Sequence, residues 1–187
     1  MRFTNNWFDC SANNFIKFLS PHKGEPGIKY LEIGSYEGRS ALSIADHILT
    51  GLGSEIHCVD TFEGSIEHTE KQKDSLYDRF MNNLKGSGIK NVTVHKMTSR
   101  EYWMNNNEMF DFIYIDGDHN SCTVIEDAMC AWQRIKPGGV IAFHDYEGGG
   151  EPICTPKPAI DFFLLSHYGK YDLLLKGYQV WVRRKIL

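Results

Sequence analysis

The sequence predicts an α/β fold: a mostly parallel, doubly wound seven-stranded sheet, helices on both faces, and an antiparallel hairpin at the C-terminal end. Three observations carry this. Short β-type runs alternate with longer helical runs five times, which implies right-handed crossovers and a parallel sheet covered on both sides. The last two strand-like runs, 171–175 and 178–182, are joined only by Lys176-Gly177. Two residues cannot make a crossover, so these strands pair antiparallel. The chain has 187 residues, a length that suits one domain. We take that domain as 1–187, with 1–27 as a helical N-terminal extension.

The elements follow in order. Residues 6–19 read as an amphipathic helix whose apolar members are Trp7, Phe8, Phe15, Phe18 and Leu19. Ser20-Pro21 and the glycines at 24 and 27 end it. Residues 28–33 form the first strand, and a helix over 38–49 stops at Gly51 and Gly53. The second strand, 55–59, closes in Asp60. A charged helix over 69–84 is stopped by Gly86-Ser87-Gly88. The third strand is 92–95, followed by a short helical turn over 99–104. The fourth, 112–115, closes in Asp116. A helix over 121–135 ends at Pro137-Gly138-Gly139, and the fifth strand, 140–143, closes in His144-Asp145. A last helix covers 159–167.

Composition narrows the function classes. The chain is 42% hydrophobic and 24% charged, with a formal net charge of −4. That balance is ordinary for a globular protein and gives no nucleic-acid footprint. Arg183, Arg184 and Lys185 read as a solvated sheet edge. No run approaches the ~18 apolar residues that span a bilayer. The five cysteines lack a C-x-x-C pair, so free thiols in a reducing cytoplasm are expected, not a zinc ribbon or redox motif. MRFTNNWFDC carries no apolar leader-like run.

In a doubly wound sheet, ligands bind at the carboxyl ends of the strands, near the switch point. Those ends are polar here. Glu32 precedes Gly34, and Gly38 opens the next helix. An acid there either accepts from an amino or cationic group over the turn or caps it. Gly34 permits a sharp bend and close approach. Asp60 can bind both hydroxyls of a ribose or cap its own turn. Thr98 or Ser99 either caps the short helix or touches a ligand. Asp116-Gly117-Asp118-His119 gathers two acids and a histidine, and His144-Asp145 stands on the next strand. Neighbouring strands lie ~4.8 Å apart, so Asp116 and Asp145 can share a divalent cation. Two carboxylates suit Mg²⁺, while a histidine favours Mn²⁺, Fe²⁺ or Zn²⁺.

YLEIGSYEGRSAL, IHCVDTFEG, FDFIYIDGDH and IKPGGVIAFHDY, within residues 30–146, together resemble class I S-adenosylmethionine-dependent methyltransferases. The nearest likeness is to small metal-dependent O-methyltransferases of the catechol and natural-product sugar types. The resemblance implies a Rossmann-like fold and a turn that holds S-adenosylmethionine. Glu32 would face the methionine amino group. Gly34, Ser35, Tyr36 and Gly38 would wrap the methionine part, with Ser40 nearby. Asp60 would bind the ribose, Thr61 and Phe62 would flank the adenosine, and Ser99 would approach the adenine. Asp116 would be both a metal ligand and part of the cofactor wall, with His144 and Asp145 as further ligands. His119 would be the general base. The sugar-type relatives carry an adjacent acidic pair where this chain has His144-Asp145, so the metal, Mg²⁺ or another divalent cation, is left open.

The acceptor is then a hydroxyl on a small molecule or sugar, with neither nucleic acid nor membrane as partner. The glycine-rich stretch 147–152 reads either as a lid or as a flexible loop. With no large insertion over the site, either a large acceptor or a second subunit, as in a homodimer, completes it. A nicotinamide-dependent oxidoreductase is disfavoured by Glu32 and by the missing G-x-G-x-x-G. A non-haem metal oxygenase using Asp116, His119 and His144 leaves the glycine turn unexplained. A silent cofactor-binding domain leaves the polar strand ends without a task.

Overall fold

The computed structural model of the chain describes residues 1–65, 68–148 and 155–186. Seven strands make one sheet: β1 (Lys29–Ile33), β2 (Glu55–Asp60), β3 (Val92–Lys96), β4 (Phe110–Ile115), β5 (Ile135–Phe143), β6 (Tyr171–Lys176) and β7 (Val180–Arg184). Their order is β3-β2-β1-β4-β5-β7-β6. The first five are parallel, and β7 runs antiparallel to both β5 and β6. The winding reverses between β1 and β4, so the crevice lies where Gly34 and Asp116 leave the sheet.

The helices are α1 (Ala12–Leu19), α2 (Arg39–His47), α3 (Glu70–Lys73), α4 (Leu76–Ser87), α5 (Ser99–Asn105), α6 (Ser121–Arg134) and α7 (Lys157–Ser166). Alternating strand residues feed two cores. On one face Tyr30, Cys58, Phe112 and Tyr114 pack with Phe15 and Phe18 of α1, Ile44 of α2 and Phe80 of α4. On the other, Leu31, Ile33, Ile113 and Phe143 pack with Trp103 of α5, Ala128 of α6 and Phe163 of α7. Burial of each large apolar side chain contributes roughly 1.5–3 kcal/mol, which explains why both faces read as hydrophobic in sequence.

Several boundaries differ from expectation, among them the end of α4, which runs through Gly86 to Ser87; four differences have a clear local reason. The helix expected over 6–19 is a 3-10 turn, Trp7–Cys10, followed by α1. Ser11 separates them; its hydroxyl lies 3.2 Å from His144 Nε2. The helix expected over 69–84 breaks at Asp74 and Ser75. Ser75 takes a left-handed φ of 53°, and Arg79 donates to the carbonyls of Gln72 and Asp74. Pro137-Gly138-Gly139 does not separate helix from strand. β5 begins at Ile135, opposite Phe110, and the register then shifts before Phe112 meets Val140, so the triplet forms a bulge inside β5. Finally, β7 starts at Val180, because the hairpin turn extends to Gln179, whose carbonyl accepts from Gly177 N–H at 3.0 Å. Among the described residues, no helix is long and apolar enough to cross a membrane.

Candidate active site

The turn after β1 is set by crowding. Gly34 has φ +85°, and a Cβ there would lie 2.1 Å from the Asp116 carbonyl oxygen. Only glycine lets the ends of β1 and β4 come this close. Below the turn, Glu32 is fully buried. Its carboxylate accepts from the Tyr30 hydroxyl at 2.8 Å and the Ser40 hydroxyl at 2.9 Å. Burial outweighs these two bonds and pushes its pKa up to about 8. The Asp60 carboxylate accepts the backbone N–H of Tyr36 at 2.8 Å and of Phe62 at 2.6 Å, which ties the loops after β1 and β2 together. Burial raises its pKa, against those two bonds. Tyr36 (φ 48°), Phe62 (57°) and Asp145 (54°) all take left-handed backbone two or three residues after strand ends. Such strain in non-glycine residues persists only where surrounding structure enforces it.

A cavity of about 870 Å³ opens over these strand ends. Of the residues expected from sequence, Gly34, Tyr36, Asp60, Thr61, Ser99, Asp116, His119, His144 and Asp145 line it. Ser35 and Ser40 line a small adjoining pocket of about 60 Å³. Glu32, Gly38 and Phe62 line neither pocket. Glu32 lies beneath the turn. A Cβ on Gly38 would meet the Phe80 ring at 2.9 Å. Phe62 packs on Tyr77 and Phe80, each with ring centroids 5.1 Å away. Residues 149–152 of the expected lid lie outside the described residues.

At the cavity's far wall, four titratable groups meet. His144 Nδ1 lies 3.2 Å from Asp116 Oδ1 and 2.9 Å from Asp145 Oδ2. His119 Nε2 lies 3.0 Å from the same Asp145 oxygen. Burial opposes a charge on His144, but the two carboxylates overcome it and raise its pKa to about 10. Burial likewise opposes the Asp145 charge, and the bonds from His119, His144 and Tyr178 outweigh it, holding the carboxyl well below the usual range. Asp116, His144 and Asp145 offer ligand atoms within 4.8 Å of one another. One imidazole nitrogen and two carboxylate oxygens fit a divalent ion in charge and donor type. Asp118 also lines the cavity, but its carboxylate accepts from Asn120 N–H and the Thr123 hydroxyl, ordering the loop before α6.

Several site residues escaped the sequence reading. Tyr114 donates to Asp116 Oδ2 at 2.9 Å. A signal existed: Tyr30/Glu32 and Tyr114/Asp116 are both spaced two apart on strands, which puts each hydroxyl beside its acid. Tyr178 donates to Asp145 Oδ1 but read as the first residue of a strand. Trp7 and His68 also line the cavity, and their rings stack at 5.6 Å. Ser11 reaches His144 across 133 positions, which no local pattern announces.

Solved structures share this architecture. An rRNA methylase from Streptococcus thermophilus superposes with a TM-score of 0.66 at 13% identity, covering 99% of this chain and 100% of that one. The O-methyltransferase from Bacillus cereus, in complex with SAH, gives 0.62 at 20% identity, over 93% and 81%. The O-methyltransferase NovP gives 0.65 at 14% identity, over 86% and 73%. These likenesses concern the fold. No curated protein matches in sequence. The family described as Methyltransferase domain matches residues 31–146, the span from the first strand through the histidine-aspartate end of the fifth, and the chain belongs to that family.

Proposed function

We propose that the protein is an S-adenosylmethionine-dependent O-methyltransferase acting on a small hydroxylated molecule or sugar, with divalent-metal assistance. The observation that carries this reading is the two-sided cavity. One side is the strained turn tied to Asp60; the other is the His119–Asp145–His144–Asp116 cluster. Gly34, Tyr36, Asp60, Thr61 and Ser99 would hold the cofactor, with Ser35 and Ser40 beside the turn and Glu32 beneath it. When bound, S-adenosylmethionine supplies an activated sulfonium methyl group. A divalent ion held by Asp116, His144 and Asp145 would lower the pKa of a nearby acceptor hydroxyl.

The remaining work falls to the chain's own groups. Tyr114 and Tyr178 each donate to a cluster carboxylate and fix its orientation. Asp145 orients the His119 ring, which would accept the acceptor's proton. Ser11 steadies the far nitrogen of His144. The cavity walls would position the acceptor oxygen against a bound donor, and such positioning supplies much of the acceleration in a displacement.

Neighbours named as rRNA methylases raise a second reading, an RNA acceptor. A net charge of −4 and four carboxylates on the cavity wall, Asp60, Asp116, Asp118 and Asp145, repel a phosphate backbone, so the small acceptor is favoured. The test is thermal unfolding with S-adenosylmethionine or NAD, each with and without Mg²⁺ and Mn²⁺. A ligand at a hundred times its Kd raises Tm by roughly 5–10 °C at this size. A rise with S-adenosylmethionine is expected. A rise with NAD alone would overturn the proposal.

A further inference from the structure

The opposite end of the sheet carries a second cluster. Lys29 and Glu55 are the first residues of β1 and β2 and stand side by side in the ladder. His57 follows two positions after Glu55 on β2, and Glu108 sits in the loop between α5 and β4. The His57 side chain is 9% exposed. Its Nδ1 faces His95 Nε2 at 3.2 Å and the Tyr102 hydroxyl at 3.4 Å, and its ring packs edge-on against Phe110. The ring is therefore locked, with Nε2 aimed at two carboxylates.

The distances there are informative. His57 Nε2 lies 3.4 Å from Glu108 Oε2 and 3.7 Å from Glu55 Oε2. These are long for hydrogen bonds. Two ligands of a tetrahedral ion held at ~2.0–2.1 Å lie about 3.4 Å apart, which is the His57–Glu108 spacing, with Glu55 slightly farther out. Glu108 Oε2 is also buried with no hydrogen-bond partner, and an orphaned carboxylate oxygen calls for a cation. All three ligand atoms lie within 4.8 Å of one another. Lys29 Nζ stands beside them, 3.0 Å from Glu55 Oε2 and 3.5 Å from Glu108 Oε1. It neutralises part of the charge.

We propose that Glu55, His57 and Glu108 form a divalent transition-metal site, best suited to Zn²⁺, with His95 orienting His57 and solvent at the fourth position. One imidazole and two carboxylates match a borderline ion in a tetrahedral setting. The ligands come from β2 and from the loop leading into β4, so the ion would clasp the sheet at the end opposite the methyl-transfer cavity. The site does not depend on the methyltransferase reading.

Zn²⁺ and Co²⁺ alone are the probes, with neither cofactor nor acceptor present. Asp145→Asn disables the strand-end cluster. In that background Co²⁺ is expected to give visible absorption of tetrahedral intensity with one bound equivalent, and Glu108→Gln is expected to abolish it. His95→Phe is expected to weaken binding at least about tenfold by freeing the His57 ring. Lys29→Met removes a competing cation and is expected to tighten binding. It also guards against a folding defect in Glu108→Gln, since tighter binding requires an intact cluster. No bound equivalent in the Asp145→Asn background, or weaker binding in Lys29→Met, would overturn the site and leave an ion-pair network centred on Lys29.

Discussion

Burial decides the charge on Glu32. Its pKa rises from 4.5 to about 8 because desolvation exceeds the two hydroxyl bonds it receives. The native state then keeps a proton that the unfolded chain releases above pH 4.5. Stability from this group is full below pH 4.5 and is lost as pH climbs to about 8. The total is at most on the order of 5 kcal/mol. Glu32→Gln should flatten that part of the profile: the urea-derived stability of the variant, relative to wild type, rises between pH 5 and pH 8. A constant difference would mean that Glu32 is ionised in the native protein. His119 poses a different question at the same scale. If it accepts the acceptor's proton, His119→Ala should lower single-turnover methyl transfer by roughly 10²–10⁴-fold, with cofactor Kd unchanged. An unaltered rate removes it from the reaction.

At the scale of elements, the break between α3 and α4 shows how tertiary contacts override a helical pattern. The run over 69–84 has helical spacing, and the Thr69 capping box with Gln72 starts it properly. Arg79 then takes the carbonyls of Gln72 and Asp74 while its Nε holds Glu37, and Ser75 is forced to a left-handed φ of 53°. An L-residue there is strained by roughly 1–2 kcal/mol. Ser75→Gly should therefore stabilise the protein by about 0.5–1 kcal/mol, read as a higher urea midpoint at unchanged slope. A lower midpoint would show that the serine side chain holds the break. The sequence could not announce this, since the cause is a single guanidinium. The alternation of strands and helices was legible because the inner strands feed two buried faces, a property spread along each of them. α5 was legible too: Thr98 and Glu101 form a reciprocal cap, a signal confined to four positions.

Over the whole molecule, legibility fell with sequence separation. Strand-end residues such as Asp116, His144 and Asp145 could be placed together because the topology brings parallel strand ends side by side. Residues 2–11 could not, since their long-range contacts reach 30 to 133 positions away. This segment crosses the glycine turn and is pinned there. Thr4 donates its N–H and hydroxyl to the Glu37 carboxylate, each at 2.7 Å. Arg79 of α4 donates to Glu37 Oε1, also at 2.7 Å. Asn83 of α4 accepts from Arg2 N–H at 2.7 Å and donates to the Glu37 carbonyl at 3.1 Å. Glu37 is only 2% exposed, so its removal leaves Arg79 without a charge partner in a partly desolvated position. Glu37→Ala should cost about 3 kcal/mol, a fall in Tm of roughly 6–12 °C. Thr4→Val removes one neutral donor, leaves the Arg79 pair intact, and should cost only about 1–1.5 kcal/mol. The two variants also separate stability from site assembly. Glu37→Ala frees the strap that carries Trp7 and Cys10 to the cavity, so cofactor-induced stabilisation should shrink with it. Thr4→Val should retain that stabilisation. Equal losses in both variants would place the strap's hold in the Thr4 bonds instead of in the buried charge.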